Sequence, residues 1–360
     1  MYIIPKGCIS APKMYLCSIF YILKRKTTMV LIGKFLAAGL LTLSVCANQA
    51  SSKEIAEQGV IIPQEQQEPT QFTFSSPQVP EKVIFCGKEI DLTRFDRYER
   101  MDRELLAFTY MHSTSIQMIK KANRYFPIVE PILKENGIPE DFKYLMAIES
   151  NCNPTARSVA GAAGLWQFMQ TTGREYGLEV NKNVDERYHV EKATQAACKY
   201  LKEAYEKYND WVAVAAAYNA GQARIANQMN KQQVDDMLDL HLVEETARYV
   251  YRIIAAKIMF SDPSQFGFYL RATDLYMPIP VKEVTVTTGI ANLATWAKEQ
   301  GTTYALLKNL NPWLRDTFLQ NVSKRTYILK VPIKEKMHYK PSEIIPHDKR
   351  WIVKEKFIHL

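Results

Sequence analysis

Apolar residues recur every three or four positions through most of residues 92–260, a spacing that is typical of amphipathic helices. The repeat is clear from Leu105 to Ile132, and it returns in three later stretches, namely 190–208, 211–227 and 244–260. We therefore predict that this region is all-α.

One polar residue stands in the apolar stripe of a further helix that starts near Phe142. Phe142, Leu145, Met146 and Glu149 follow at i, i+3, i+4 and i+7, so the carboxylate points where the apolar side chains point. Desolvation disfavours the charged form of a carboxylate and raises its pKa towards the range that a general acid needs. We expect Glu149 to be a general acid. The alternative is that the helix simply ends here and that Glu149 lies in water or pairs with an arginine.

The residues that follow Glu149 favour a ligand site. Gly161 to Gly164 read Gly-Ala-Ala-Gly, which allows close backbone approach. Leu165 to Met169 then bring an aromatic ring, an amide and a thioether together. A flat ring and an amide beside a buried acid are suited to a sugar.

A different pattern occupies residues 281–332. Val284 and Val286 indicate one short strand, and Tyr327 to Val331 indicate another. The apolar positions between them have helical spacing in two short stretches. We predict a small α+β unit with the order βααβ.

The net positive charge of the chain is concentrated near its start. The 360 residues are 47% apolar and 23% charged, which is ordinary for a globular protein. The net charge of +8 falls to +2 when the six basic residues of 1–50, a segment without acids, are left out. A nearly neutral body argues against nucleic-acid binding.

Residues 1–47 are typical of an export leader. Lys24 to Lys26 precede an apolar run from Phe35 to Val45, which is short for a membrane span but suits a secretory signal. We therefore expect an exported protein, with Met29 as an alternative start. Cleavage after Ala47 would leave a soluble chain.

Lipoprotein processing is the alternative to that cleavage, because it would retain Cys46 as an acylated membrane anchor. Of the other cysteines, Cys86, Cys152 and Cys198 lie in the body, where an exported protein tends to oxidise a close pair and an odd count leaves one thiol unpaired. The cysteine spacings and the six scattered histidines match no metal-ligand pattern. We expect neither a metal nor a cofactor.

Four motifs in order carry a resemblance to a known family. The run ES...NP.A.S..GA.GLWQFM..T...YGL begins at Glu149, the run AYNAG covers 217–221, and Glu245-Thr246 and Tyr249-Val250 follow. Together they resemble the lytic transglycosylases with a goose-lysozyme-like fold, over roughly residues 120–262. Residues 281–332 resemble a lysin-motif domain, whose relatives bind glycan chains; glycan binding and a role in packing alone are both open.

Composition and periodicity, together with the resemblance, give the expected organisation of a mainly α protein. A flexible spacer at 48–82 and a helical extension at 83–125 precede a lysozyme-like all-α catalytic domain at 126–265. The small βααβ unit follows at 275–335, and a basic tail fills 336–360. The resemblance also implies a periplasmic location, with the outer membrane as the site of any anchor.

The resemblance implies a reaction that needs one acid. Glu149 would protonate the bond between N-acetylmuramic acid and N-acetylglucosamine in peptidoglycan, and the same carboxylate would then deprotonate the C6 hydroxyl to leave a 1,6-anhydro end. Glycoside hydrolysis usually needs two carboxylates. Glu175, Asp185 and Glu186 are near in sequence, but none lies on an apolar stripe, and we interpret them as solvated surface charges.

The other expected site residues follow from matching positions. Ser150 and Gln167 match residues that line the site in the family, and Tyr218 matches a tyrosine near the acid. Trp166 and Met169 are either sugar-facing walls or plain core, and Asn219 is either a ligand or a turn residue. Glu245 and Tyr249 would close the cleft from a late helix, with a structural hydrogen bond as the alternative role of Glu245.

The sequence leaves two other functions open. A hydrolase of the goose-lysozyme type would need a second carboxylate to position water and would leave reducing ends. A wall-binding protein without catalysis would hold glycan strands but not cut them. A buried acid argues against the second alternative, because pure binding does not require one.

Overall fold

The computed structural model describes residues 75–322 and 324–353. The predicted leader, Met29, Cys46 and most of the predicted spacer lie outside these residues. The described part is mainly helical with two small sheets, as the periodicity predicts. Within it, no helix combines the length and the apolar character needed to cross a membrane.

The described chain begins with a hairpin where we predicted a helical extension. Strands β1 (Lys82–Phe85) and β2 (Lys88–Asp91) pair antiparallel, with Lys82 opposite Asp91. The turn residues Cys86 and Gly87 both have positive φ, of 50° and 83°, the combination that a two-residue hairpin turn requires. The prediction was therefore wrong for 83–91, because cysteine is not a usual signal for such a turn.

Two helices follow the hairpin, α1 (Phe95–Tyr110) and α2 (His112–Glu135). The start of the catalytic domain that we expect at 126 falls inside α2, which runs through this position without a break. Phe126 and Val129 are fully buried and continue the apolar stripe of the helix, so packing carries it past Pro127. Pro127 itself is on the exposed face.

The core of the larger unit surrounds α3 (Phe142–Ser150), which packs against α2 and against α8 (Glu244–Ser261). Helix α5 (Val190–Tyr208) covers α2, and α6 (Trp211–Ala220) lies between α5 and α8. Helix α6 is buried from Val212 to Ala217, and its small side chains let the neighbouring helices come close.

Two short helices complete this unit, α4 (Gln170–Glu175) and α7 (Gln222–Gln232). The helical spacing predicted for 211–227 is confirmed, and it is divided between α6 and α7 at Gly221, whose φ of +88° ends α6. The helices predicted at 190–208 and 244–260 are confirmed to within one residue.

The C-terminal unit has the predicted βααβ order. Strand β3 (Val281–Val286) pairs antiparallel with β4 (Tyr327–Pro332), and α9 (Leu293–Glu299) and α10 (Tyr304–Leu310) lie between them in the chain. Its apolar core is continuous with three residues of the larger unit, namely Ala163, Val184 and Tyr188. The two units therefore share buried surface.

The tail, for which the sequence predicts no structure, folds back onto the larger unit as far as residue 353. Trp351 is 3% exposed, its ring packs on Phe126 and Phe260, and its indole N–H donates to the carbonyl of Phe260 at 2.8 Å. Burial of such a ring contributes about 3–5 kcal/mol relative to alanine.

Cys86, Cys152 and Cys198 are all free thiols.

Candidate active site

Glu149 lies in the last turn of α3, inside the apolar stripe that the sequence predicts. Phe142, Leu145 and Met146 are fully buried, and Glu149 is only 9% exposed. The helix ends directly afterwards, because Asn151 adopts the left-handed conformation, with φ of 53°. Burial removes the alternative in which Glu149 lies in water.

Helix α8 brings a hydroxyl to this carboxylate. Tyr249 is 4% exposed, and its O–H donates to Oε1 of Glu149 at 2.6 Å, across 100 residues of sequence. Glu245 is half-buried one turn earlier on α8. Thr246 donates from Oγ1 to Oδ1 of Asn219 at 3.1 Å, so Asn219 links α6 to α8 beside the site.

The loop of residues 161–168 is held against the segment that contains Arg187. One guanidinium nitrogen of Arg187 donates to the carbonyls of Gly161 and Phe168, at 2.8 and 3.0 Å. Gly164 has φ of +79°, and a β-carbon there would lie 1.7 Å from the carbonyl oxygen of Arg187. Only glycine satisfies both conditions at position 164.

Gln167 closes this loop. Its backbone is left-handed, with φ of 48°, and its side chain is 6% exposed. The amide Nε2 donates to the carbonyls of Gly164 and Ala156, at 2.8 and 3.2 Å. Gln167 therefore fixes the loop conformation, and its amide oxygen is the group that remains for a ligand.

Tyr218 lies at the end of α6, against the same loop. Its hydroxyl donates to the carbonyl of Trp166 at 2.6 Å, and its ring packs on Trp166, Phe168 and Tyr200. Burial, with the negative charge of Glu149 as the second cause, raises the pKa of Tyr218 well above its usual range. The phenol is therefore a protonated donor at neutral pH, near the charge of Glu149.

The remaining predicted residues differ in access. Trp166 is fully buried and donates from its indole N–H to Oγ1 of Thr194 at 2.9 Å, so in this structure it supports the loop from the core and presents no surface to a sugar. Met169 is 37% exposed, so part of this residue is accessible from solvent. Ser150 is 7% exposed, and its hydroxyl donates to the carbonyl of Met146 at 3.2 Å.

The interpretation of Asp185 and Glu186 as solvated surface charges is wrong. Asp185 is 6% exposed and accepts from Arg187 at 2.9 and 2.7 Å, and Glu186 is 3% exposed and pairs with Lys192. Both carboxylates hold the loop and α5 in place through these ion pairs. Glu175 is exposed, as predicted. Arg187 was not predicted as a site residue, because an Asp-x-Arg pattern alone does not indicate burial.

Two family comparisons match separate parts of the chain. The transglycosylase SLT domain matches residues 127–238, which include Glu149, Gln167 and Tyr218. The soluble lytic transglycosylase C-terminal LysM-like domain matches residues 282–335. Tyr249 and α8 lie outside both matched ranges.

Two similar proteins are themselves named transglycosylases, in agreement with the match to the SLT domain. Membrane-bound lytic murein transglycosylase D of Escherichia coli is 27% identical over 243 residues, which cover 65% of this chain and 52% of that protein. Peptidoglycan transglycosylase gp16 of Escherichia phage T7 is 37% identical over 138 residues, 37% of this chain and 10% of that protein. The chain thus spans about half the length of the first of these relatives.

A solved structure of lytic transglycosylase Slt from Pseudomonas aeruginosa aligns with 38% of this chain and 23% of that chain, at 20% identity. Its TM-score of 0.31 is too low to establish a common overall fold. The two family matches and the sequence relatives identify the two domains without this structural alignment. The chain contains a transglycosylase SLT domain followed by a C-terminal LysM-like domain, and it is homologous to membrane-bound lytic murein transglycosylase D.

Proposed function

We propose that this protein is a peptidoglycan lytic transglycosylase that cleaves the bond between N-acetylmuramic acid and N-acetylglucosamine in glycan strands. The observation that carries the proposal is the buried carboxylate of Glu149, 9% exposed, with the hydroxyl of Tyr249 at 2.6 Å. Glu149 lies within the SLT-matched residues, whose family name describes transglycosylases.

The proposed reaction uses Glu149 twice. Its carboxylic acid protonates the glycosidic oxygen as the bond from C1 of the muramic acid breaks, and the acetamido group of the substrate stabilises the positive charge at C1. The resulting carboxylate then takes the proton of the C6 hydroxyl as O6 bonds to C1. The acid is regenerated, and no water is consumed.

The surrounding residues support a reaction with one acid. Asp185 and Glu186, the other acids of the motif region that are buried, are committed to Arg187 and Lys192. Tyr249 orients the carboxylate of Glu149, and Tyr218 places a protonated phenol nearby. A hydrolase would need a second, uncommitted carboxylate to position water.

Mass spectrometry of peptidoglycan digested by the mature protein, with Glu149→Gln as the control, tests the proposal. We expect muropeptides that end in 1,6-anhydro-N-acetylmuramic acid, and we expect their loss in the control. Reducing ends, heavier by one water, would mean a hydrolase. If neither protein releases muropeptides but both sediment with peptidoglycan, the chain is a binding protein.

The location and the role of the LysM-like domain belong to the same proposal. We propose that the chain is exported to the periplasm and that Cys46 is the residue at which any lipid anchor is attached. Fractionation of wild-type and Cys46→Ser cells tests the anchor, because only an acylated chain moves from the membrane to the soluble fraction on substitution. Glycan binding by residues 282–335 adds affinity for long strands.

A further inference from the structure

A buried carboxylate that the proposed reaction does not use lies between α1 and α8. Glu104, on α1, is 1% exposed, and a desolvated carboxylate is costly unless it is paired. Its Oε1 accepts from Nε of Arg248, and its Oε2 accepts from Nε of Arg252 at 3.3 Å. Both arginines are on α8, and their side chains are 27% and 30% exposed.

The spacing of these arginines relates Glu104 to the active site. Arg248 and Arg252 are one turn apart and lie on one face of α8, and Tyr249 is the next residue after Arg248. A bridge to two residues of one face fixes the rotation of α8 about its axis. That rotation sets the direction of the Tyr249 side chain, whose hydroxyl reaches Glu149 at 2.6 Å.

We propose that Glu104 is a positioning residue of the active site: its ion pairs with Arg248 and Arg252 hold α8 in the rotation that places the hydroxyl of Tyr249 on Glu149. The consequence is that α1, which precedes the SLT-matched residues, helps to set the geometry of the active site. The inference rests on the proposed function for its kinetic test, but its geometry does not depend on which bond the enzyme cleaves.

The kinetic test is a double-mutant cycle of Glu104→Gln with Tyr249→Phe, assayed on soluble glycan strands. We expect Glu104→Gln to lower kcat about tenfold with little change in KM, the effect of one weakened hydrogen bond on the transition state. In the Tyr249→Phe background the same substitution has almost no further effect on kcat, because the bond it acts through is already absent. Independent, multiplied losses in the double variant would overturn the proposal.

A matched control lies on the same pair of helices. Arg103 of α1 pairs with Glu244 of α8, but these side chains are 52% and 65% exposed. Arg103→Gln therefore removes an α1–α8 ion pair without a buried charge, and we expect kcat to be unchanged. An equal loss in Arg103→Gln would mean that any weakening of this interface lowers activity, which contradicts a specific role for Glu104.

Two further measurements test the proposal even if Glu104→Gln does not fold or the enzyme has another activity. Arg252→Gln keeps the pair of Glu104 with Arg248, and we expect a smaller loss of kcat that Tyr249→Phe again abolishes. Crystal structures of wild-type and Arg252→Gln protein need no activity; there the 2.6 Å distance from Tyr249 to Glu149 should lengthen. An unchanged distance would overturn the positioning role, whereas a wild type without anhydro products would refute only the proposed function.

Discussion

The α-carbon of Gly164 lies so close to Arg187 that a β-carbon would stand 1.7 Å from the Arg187 carbonyl oxygen. This contact joins the loop that carries Gln167 to the segment that precedes α5. Arg187 completes the junction from its other end, since its guanidinium donates to Gly161 and Phe168 and is itself held by Asp185. The loop geometry therefore depends on a glycine and on a buried ion pair.

Gly164→Ala should be strongly destabilising. The substitution adds a steric clash with backbone to the cost of a left-handed alanine, and we expect a loss of more than about 3 kcal/mol in the free energy of unfolding. Gly161→Ala is the matched control, because Gly161 also has positive φ, of 90°, but apart from its chain neighbours no described residue has an atom within 4 Å of its β-position. It should cost only about 1 kcal/mol. Urea unfolding of both variants measures the difference, and equal losses would contradict the packing argument.

Sequence pattern predicted those features that a single element determines. The stripe from Phe142 to Glu149 and the βααβ order of 281–332 are both confirmed, because periodicity and side-chain type within one element specify them. The Cys86-Gly87 turn and the burial of Asp185 were missed. The turn depends on a cysteine with positive φ, and the burial of Asp185 depends on an arginine two residues later that folds over it.

The site divides in the same way. The burial of Glu149 could be predicted from the stripe. Its hydrogen bond with Tyr249 could not, because it depends on the packing of α3 against α8, and the two residues are 100 positions apart in sequence. For Trp166 the sequence leaves open whether the ring faces a sugar or lies in the core. Its full burial in the structure decides for the core. Local pattern does not distinguish a wall from the core behind it.

Tyr249→Phe should lower activity without unfolding the protein. The change removes a hydrogen bond to a carboxylate, which is worth about 1.5–3 kcal/mol, so we expect kcat/KM for muropeptide release to fall roughly 10- to 100-fold. The ring remains, so the protein should stay folded, and the melting temperature should fall only by the few degrees that one lost hydrogen bond costs. Activity equal to that of wild type would show that Glu149 works without this hydroxyl.

Tyr251→Phe supplies the control for that measurement. Tyr251 is on the same helix and 1% exposed, but its hydroxyl has no hydrogen-bond partner within 75–322 and 324–353. Removing an unsatisfied buried hydroxyl should leave kcat/KM unchanged and leave stability equal or slightly higher. A similar loss of activity in both variants would point to general disturbance of α8.

Asn183 should determine how firmly the LysM-like domain is attached. It is 8% exposed; its side-chain amide donates to the carbonyl of Phe318 at 2.8 Å and accepts from the N–H of Gln320 at 2.8 Å, and its own carbonyl accepts from Arg315. Asn183→Ala removes the two side-chain bonds, and we expect a loss of about 2 kcal/mol in the free energy of unfolding.

Limited proteolysis should show which part of the protein loses stability in Asn183→Ala. Cleavage between the two domains should be faster in Asn183→Ala, because the shared core opens more often when its polar clamp is absent. Asn321→Ala is the control, since Asn321 is half-exposed and its side chain bonds only within the LysM-like domain, to Thr287 and Arg325. Equal cleavage rates in the two variants would contradict a clamp at Asn183.

Glu191 makes the same junction sensitive to acid. Burial tends to raise its pKa, but the neighbouring imidazole of His189 and the ammonium of Lys330 outweigh burial and hold it at about 2, against an ordinary 4.5. Lys330 is on β4 and Glu191 is on α5, so the pair spans the two domains. Because the folded-state pKa is the lower one, the ionised carboxylate stabilises the fold above about pH 4.5, and this stabilisation is lost as the pH falls from about 4.5 to about 2.

Glu191→Gln tests this sign. At about pH 7 it should lower the melting temperature by roughly 2–6 °C, the effect of 1–2 kcal/mol in a domain of this size. The difference from wild type should shrink as the pH is lowered from about 5 to about 3, because the wild-type carboxylate is then losing the advantage that the glutamine never had. Glu299→Gln, at an exposed position of α9, should match wild type throughout. A difference for Glu191→Gln that stays constant over this pH range would mean that the side chain contributes packing and not charge, and that the junction does not depend on the Lys330 ion pair.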